Sequence, residues 1–410
     1  MVHQTIRTIK ASAASASSRI SSMQRGWSVV AIVGMLVGCA APLPPLPPSS
    51  APPLPGAGPA PRAPAPDPVR PAEDDSPPGA ALLQGKSRWQ PVPWSELPGF
   101  EDDALHEAWN AWLKSCERPP AAFAPLCPQV RQLSIATPAE QRAWMRQRLQ
   151  PYRIEPLQGA QDGLLTAYYE PLLEASRQPT ARHTVPLYRP PAGLGSRKPW
   201  YSRQEMDTLP QAQAQLRGRE IAWLADPLDA LMLQIQGSGR LRVAEPDGSV
   251  RTVRLAFAGT NDHPYRSVGG WLLQQGAVRD ASWPGIKAWV RENPQRLQEL
   301  LWSNPRTTFF REEPLGDFDA AFGPRGAQGV ALTPGRSIAV DKESIPYGTP
   351  VWLASAGPQL TLQRLVLAQD TGSAITGAVR ADYFAGWGPE AGELAGRLKQ
   401  PLRMWALWPR

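Results

Sequence analysis

Between residues 102 and 116 the apolar positions fall at Leu105, Ala108, Trp109, Trp112 and Leu113. That 3–4 residue spacing puts one apolar stripe along a helix. Glu101, Asp102 and Asp103 sit at its N-terminal end, where negative charge suits the helix dipole. Thr137-Pro138-Ala139-Glu140 reads as a capping box that opens a second helix, with proline in the first turn. After Gly163 the pattern shortens. Strand-like runs at 164–169 and 250–256 alternate with brief helices that begin after Asp226-Pro227 and after Asn293-Pro294. After Phe310 it changes again, to strands at 337–340, 350–353, 360–368 and 404–408 separated by Gly/Pro turns. No fixed-period repeat is visible. Helices, then a mixed segment, then strands predict an α+β or mainly β chain rather than a doubly wound sheet.

Composition divides the chain further. Of 48 prolines in 410 residues, 16 fall between residues 41 and 80, so no single compact fold runs from end to end. This stretch has almost no large apolar residues beyond Leu43, Leu46 and Leu54. It favours extended polyproline II, a semi-rigid spacer. Ahead of it, basic residues through Arg25 precede a short apolar run, residues 27–37, that leads into Leu36-Val37-Gly38-Cys39. The run is too short to span a bilayer comfortably but suits the core of an export signal. Leu-x-Gly-Cys resembles a bacterial lipobox, in which Cys39 takes the lipid. Ala40, rather than Asp, resembles lipoproteins sent on to the outer membrane. The expected location is therefore the periplasmic face of the outer membrane, through a Cys39 anchor. The true start could be Met1 or Met23. Without residues 1–38, 39 basic residues face 36 acidic ones, which gives no reason to propose nucleic acid as a partner.

Beyond Cys39 only Cys116 and Cys127 remain. In an oxidising compartment a disulfide is the default, with two free buried thiols as the alternative. The four histidines, His3, His106, His183 and His263, make no zinc spacing with cysteine, and no Gly-rich loop ends in Lys-Ser/Thr. No metal or other cofactor is expected.

Candidate chemistry lies in the final hundred residues. Asp341, Asp370 and Asp382 each follow or adjoin an apolar strand-like run, so each could reach a strand end at the rim of a barrel. Spacing alone equally allows solvated turn aspartates. Six tryptophans, Trp200, Trp223, Trp271, Trp283, Trp289 and Trp302, occupy the middle segment. Most are expected in the core, with two or three lining a sugar-binding groove.

Several segments together resemble one family. They are Thr166-Ala167-Tyr168-Tyr169-Glu170-Pro171, Leu233-Gln234-Ile235-Gln236-Gly237-Ser238-Gly239-Arg240, and Ala258-Gly259-Thr260-Asn261 with His263-Pro264-Tyr265-Arg266-Ser267. Asn304-Pro305, Phe309-Phe310-Arg311-Glu312 and Leu332-Thr333-Pro334-Gly335-Arg336-Ser337 follow in order. Last come Asp370-Thr371-Gly372-Ser373-Ala374-Ile375-Thr376-Gly377, Arg380-Ala381-Asp382-Tyr383-Phe384 and Gly386-Trp387-Gly388. The set is similar to the membrane-bound lytic murein transglycosylase A (MltA) family. Ser373 departs from that pattern, standing where a second glycine would be expected.

The resemblance implies a mainly β fold with some α: a double-psi β-barrel catalytic domain, residues 82–166 and 312–410, holding an inserted glycan-binding β domain, residues 167–311. Residues 1–38 would be the signal and 39–81 the tether. It also implies peptidoglycan glycan strands as the ligand, gripped between the domains through Tyr169, Gln234, Gln236, Ser238, Asn261 and Tyr265. Other cell-wall enzymes are further candidate partners. The implied reaction cuts the β-1,4 bond from N-acetylmuramic acid to N-acetylglucosamine without water and leaves a 1,6-anhydro end. Asp382 would be the acid and base, Asp370 its partner, and Asp341 a supporting residue. The choice of Asp382 rests on Tyr383, Phe384 and Trp387, rings that could desolvate it, whereas Thr371 and Ser373 would favour an ionised Asp370. Two other readings stay open: a two-carboxylate glycoside hydrolase on the same barrel, and a non-catalytic wall-binding lipoprotein.

Overall fold

The computed structural model describes residues 79–158 and 163–410. The export signal, Cys39 and the Pro/Ala-rich tether lie outside the described residues. Four strands come first: β1 (Leu82–Gln84), β2 (Ser87–Pro91), β3 (Leu149–Pro156) and β4 (Gly163–Glu170). Six follow: β5 (Leu172–Ser176), β6 (Val185–Tyr188), β7 (Glu220–Leu224), β8 (Gly239–Ala244), β9 (Val250–Thr260) and β10 (Thr308–Pro314). The last five are β11 (Ser337–Val340), β12 (Pro350–Ala356), β13 (Thr361–Asp370), β14 (Arg380–Trp387) and β15 (Lys399–Pro409).

The first four and last five strands share one sheet, in the order β1-β2-β3-β15-β12-β13-β11-β14-β4. Because β15 also pairs with β4, the six strands from β15 to β4 close into a barrel. Within it, β11 runs parallel to β13 and β14 runs parallel to β4. The remaining strands make a second sheet, β10-β9-β8-β5-β7-β6.

Near-continuous apolar runs in β12, β13 and β15 mean burial on both faces. Trp352, Leu365, Leu367, Trp405 and Leu407 pack outward against the stripe of helix Leu105–Ser115. Their neighbours Val351, Leu353, Val366, Ala368, Met404 and Ala406 fill the barrel interior. Each buried valine, leucine or methionine among them contributes roughly 1.5–3 kcal/mol of burial energy. The barrel wall thus requires a helical cover, and helix and strand are both abundant, so the fold is mixed rather than mainly β.

The capping box forms as expected, with Thr137 and Glu140 bonding reciprocally at the start of helix Pro138–Arg148. Helix Leu105–Ser115 behaves differently at its start. Its N-cap is Ala104 and has no side-chain bond. Asp103 instead turns inward to pair with buried Arg336, Oδ2 to Nη1 at 2.8 Å, which ties the helix to the barrel. Cys116 and Cys127 are bridged, with their Cα atoms 5.5 Å apart. On the loop-closure estimate such a bond is worth roughly 2–4 kcal/mol.

The second sheet has its own core, around Leu187, Ile221, Leu241, Leu255 and Phe310. A helical lobe around Leu231, Leu272, Trp289 and Leu300 packs beside it. The two sheets meet at Glu170, the last residue of β4. Its fully buried carboxylate bonds Arg240 of β8 (3.1 Å) and Arg254 of β9 (2.9 Å). Both guanidiniums also donate to Phe322 O, and Arg240 stacks 3.8 Å from the Trp387 ring centroid. No helix among the described residues is long and apolar enough to cross a membrane.

Candidate active site

A short row across four neighbouring strands builds the site. Ala339 on β11 pairs with Asp370 on one side and with Asp382 on the other, and Asp382 pairs in turn with Thr166 on β4. At the usual strand spacing the two aspartate Cα atoms are about 10 Å apart. The row depends on a register shift between Ile338 and Ala339: Ile338 pairs with Ala368, but Ala339 pairs with Asp370, skipping Gln369. Bulges re-aim side chains in this way. Ala339 adds only a methyl group between the acids, and all four residues line one cleft of about 290 Å³. The opposite wall comes from the second sheet's side of the molecule: Gln234, Ile235 and Gln236 at the end of helix Pro227–Gln236, with Tyr265, Asn304 and Arg306. That helix stops at Gly237, whose φ of 82° suits glycine as the terminating residue. A neighbouring compartment of about 560 Å³ shares Tyr168, Gln234, Arg306 and Asp370 and continues the groove.

The two carboxylates are held differently. Asp370 accepts from the Tyr168 hydroxyl (2.8 Å) on Oδ2 and from the Ala327 N–H (3.0 Å) on Oδ1. Asp382 accepts from the Thr166 hydroxyl on Oδ1, while Arg380 Nη2 donates to that hydroxyl at 2.9 Å. Among the described residues its Oδ2 has no hydrogen-bond partner. Burial pushes Asp370 up to about 6; the Thr371 N–H, Tyr168 and Ala327 pull against this, and the Asp382 charge adds to it. Burial also raises Asp382, opposed by Thr166 and by Arg380. Burial is thus the first cause at both acids, and the charge of Asp382 acts on Asp370.

The sequence argument for a desolvated Asp382 and an ionised Asp370 therefore needs correction: burial acts on both and lifts Asp370 at least as clearly. Of the flanking rings, Tyr383 does not act as expected. Tyr383 faces the barrel core, where its hydroxyl donates to Gly335 O, because neighbouring strand residues alternate in direction. Asp382 also lies within β14, not at a strand end.

The structure sorts the other expected site residues. Gln234, Gln236 and Tyr265 border the aspartate cleft, and Ser238 borders the adjoining compartment. Gln236 Oε1 accepts from Tyr169 N at 3.1 Å, and Gln234 Oε1 is buried with no partner. Tyr169 does not border the aspartates; it faces a separate cleft beside Gly392. Asn261 is fully buried. It donates to Tyr201 O (2.9 Å) and Pro305 O (2.8 Å) and accepts from Thr307 N (2.9 Å), so it pins loops together. Asp341 is also outside the cleft. Burial pushes its carboxyl up, but the Gly377 and Glu343 N–H groups and Lys86 outweigh that and hold it below the usual range. Through Gly377 it anchors the far end of the 371–377 loop that borders the site. None of the six middle tryptophans lines the aspartate cleft, and Trp200 and Trp289 are buried. Sequence reasoning missed Thr166 and Tyr168. Alternation could have found them, since Tyr168, two residues from Thr166, shares its face while Tyr169 does not.

A closed barrel, a second sheet inserted between its strands, and an aspartate pair at the cleft beside them frame the candidate active site. The family model described as MltA specific insert domain matches residues 164–311, and the one described as 3D domain matches residues 336–408. Lytic transglycosylase LtgG of Burkholderia pseudomallei is 42% identical, covering 83% of this chain and 100% of that one, with a TM-score of 0.55. MltA from Neisseria gonorrhoeae is 30% identical, covering 83% and 97%, with a TM-score of 0.67. Membrane-bound lytic murein transglycosylase A of Vibrio cholerae is 31% identical over 259 residues, which span 60% of this chain and 65% of that curated relative's length. The chain belongs to the membrane-bound lytic murein transglycosylase A family.

Proposed function

We propose that this chain is a peptidoglycan lytic transglycosylase that cuts between N-acetylmuramic acid and N-acetylglucosamine without water. The observation that carries the reading is the asymmetry of the aspartate row. Both oxygens of Asp370 are occupied by donors of the protein, whereas Asp382 keeps one oxygen for a ligand. A hydrolase usually needs two working carboxylates, one as acid and one as base or nucleophile. A transglycosylase needs one.

Asp382 protonates the glycosidic oxygen as its bond to the muramyl C1 breaks. The muramyl 6-hydroxyl then attacks C1, and its proton passes to the Asp382 carboxylate. The nucleophile is part of the substrate, so proximity replaces a positioned water. Asp370, raised chiefly by burial and further by the Asp382 charge, sits beside the acid with both oxygens held by the protein. Gln234, Gln236 and Tyr265 would hold sugar hydroxyls, since amides and phenols both donate and accept. We read the closed barrel as double-psi, a reading supported by its two parallel pairings among antiparallel ones. Mass spectrometry of material released from purified sacculi tests the function. We expect 1,6-anhydro ends; products heavier by one water would mean hydrolysis, and no release from folded protein would mean a wall-binding role.

The same reading places the protein at the periplasmic face of the outer membrane, held by lipid on Cys39. Cys39→Ser is expected to move it from the membrane to the soluble periplasmic fraction without loss of activity in vitro. Continued fractionation with the outer membrane would sink the anchor.

A further inference from the structure

Charge along the groove is uneven. The compartment beyond the aspartates is bordered by Arg118, Arg306, Arg311 and Arg325, against a single acidic residue, Asp370. Arg311 is already paired with Glu313 at 2.8 Å. No carboxylate among the described residues lies within ion-pair distance of Arg118, Arg306 or Arg325; Arg306 donates to His263 O and Arg325 to Gly329 O instead. Arg306 is half-buried; burial lowers its pKa, and the charge of Asp262, beyond ion-pair distance, partly offsets this. Two further features border the same space: the unpartnered Gln234 Oε1, and Phe257, which is 50% exposed. The cleft beside Tyr169 lacks this bias, because Lys287 and Arg397 there meet Asp229, Asp280 and Glu393.

Neutral sugar hydroxyls have little use for three unpaired guanidiniums. Carboxylates do, since the planar fork binds them through two parallel hydrogen bonds. The exposed Phe257 ring suits a sugar face. The arm is also close to the chemistry, for Arg325 sits on the turn whose Ala327 N–H holds Asp370.

We propose that Arg118, Arg306 and Arg325 form a carboxylate-binding arm that takes the acidic group carried on O3 of a muramyl residue beside the bond being cut. The inference rests on the transglycosylase reading and adds what the enzyme selects. The carboxylate has two sources of one chemistry: the lactyl group itself on peptide-free strands, or the attached stem peptide.

The test measures binding of three polymers to the full chain and to an Arg118→Gln/Arg325→Gln variant. The polymers are a neutral N-acetylglucosamine oligosaccharide, a peptide-free muroglycan and a peptide-bearing glycan. Both arginines are exposed, so the fold should be unaffected; Arg118→Glu provides a charge-reversed second variant. An acidic polymer that uses the arm should bind about fivefold more weakly per arginine lost, with neutral oligosaccharide binding and Tm unchanged. The wild-type preference for that polymer should shrink between about 0.05 and about 0.5 M salt. Loss confined to the peptide-bearing strand assigns the arm to the stem peptide, and equal loss on both acidic polymers assigns it to the lactyl carboxylate. Unchanged affinity of both variants for both acidic polymers overturns the arm. Arginine-dependent binding without any anhydro product would instead overturn the transglycosylase reading and leave the arm standing.

Discussion

Asp382→Asn is expected to give folded protein with no detectable anhydro product, a loss of at least about a thousandfold, because the change keeps the side-chain shape and removes the proton donor. Thr166 can still donate to the remaining carbonyl oxygen, so the row across β11, β14 and β4 should persist. Asp370→Asn should be milder, about 10–100-fold near neutral pH, and should differ in its pH dependence. Burial raises both carboxyls, Asp370 to about 6, so activity should fall as pH rises through that region. In this variant the carboxyl raised to about 6 is gone and Asp382 titrates alone. The falling limb should then move to lower pH, and activity should recover in acid. If Asp382→Asn retains near-wild-type rates, or Asp370→Asn shifts the limb upward, the assignment of the two roles is wrong.

Glu170→Gln should have the largest effect on stability. The carboxylate is fully buried between Arg240 and Arg254, each only 6% exposed, and it answers two positive charges at once. A buried pair broken from one side typically costs about 3–5 kcal/mol, since the orphaned charges cannot reach water. The amide of glutamine keeps the volume and offers an oxygen to one guanidinium, but no charge to either. Urea unfolding should report this loss as a lower midpoint. The damage should also reach the groove, because β8 and β9 carry the arginines while β4 carries both Glu170 and the Thr166–Tyr168 face. A midpoint within experimental error of the wild type would mean that the triad does not hold the two sheets together.

Much of the architecture was legible in the chain. The stripe through Leu105, Trp109 and Trp112 and the Thr137–Glu140 box gave two helices, because local propensity and packing agree there. Strand 337–340 matched to the residue, since four consecutive buried positions bounded by turns leave little choice. The ends of other strands were extended by pairing: 404–408 is part of Lys399–Pro409, whose early residues are alternately exposed and buried and read as strand only once β4 lies beside them. The site was half legible. Asp370, Asp382, Gln234, Gln236 and Tyr265, expected from sequence, line one cleft, whereas Asn261 and Tyr169 do not border it. A polar residue beside glycine reads the same whether it faces a ligand or bonds buried backbone, and the parity of a strand is invisible until its partner is known.

By itself, then, the sequence determined the order of elements, the break at the proline-rich tether, the residue types of the acid pair, and the chemistry those types permit. These follow from local periodicity and side-chain identity, which need no partner strand. Only the tertiary structure decided that the shift at Ile338/Ala339 sets Asp370 and Asp382 on either side of one alanine. It also decided that Asp382, rather than Asp370, keeps a free oxygen. Register and hydrogen-bond occupancy come from residues far apart in the chain, Thr166 to Asp382 and Tyr168 to Asp370, and closing the barrel is what brings them together.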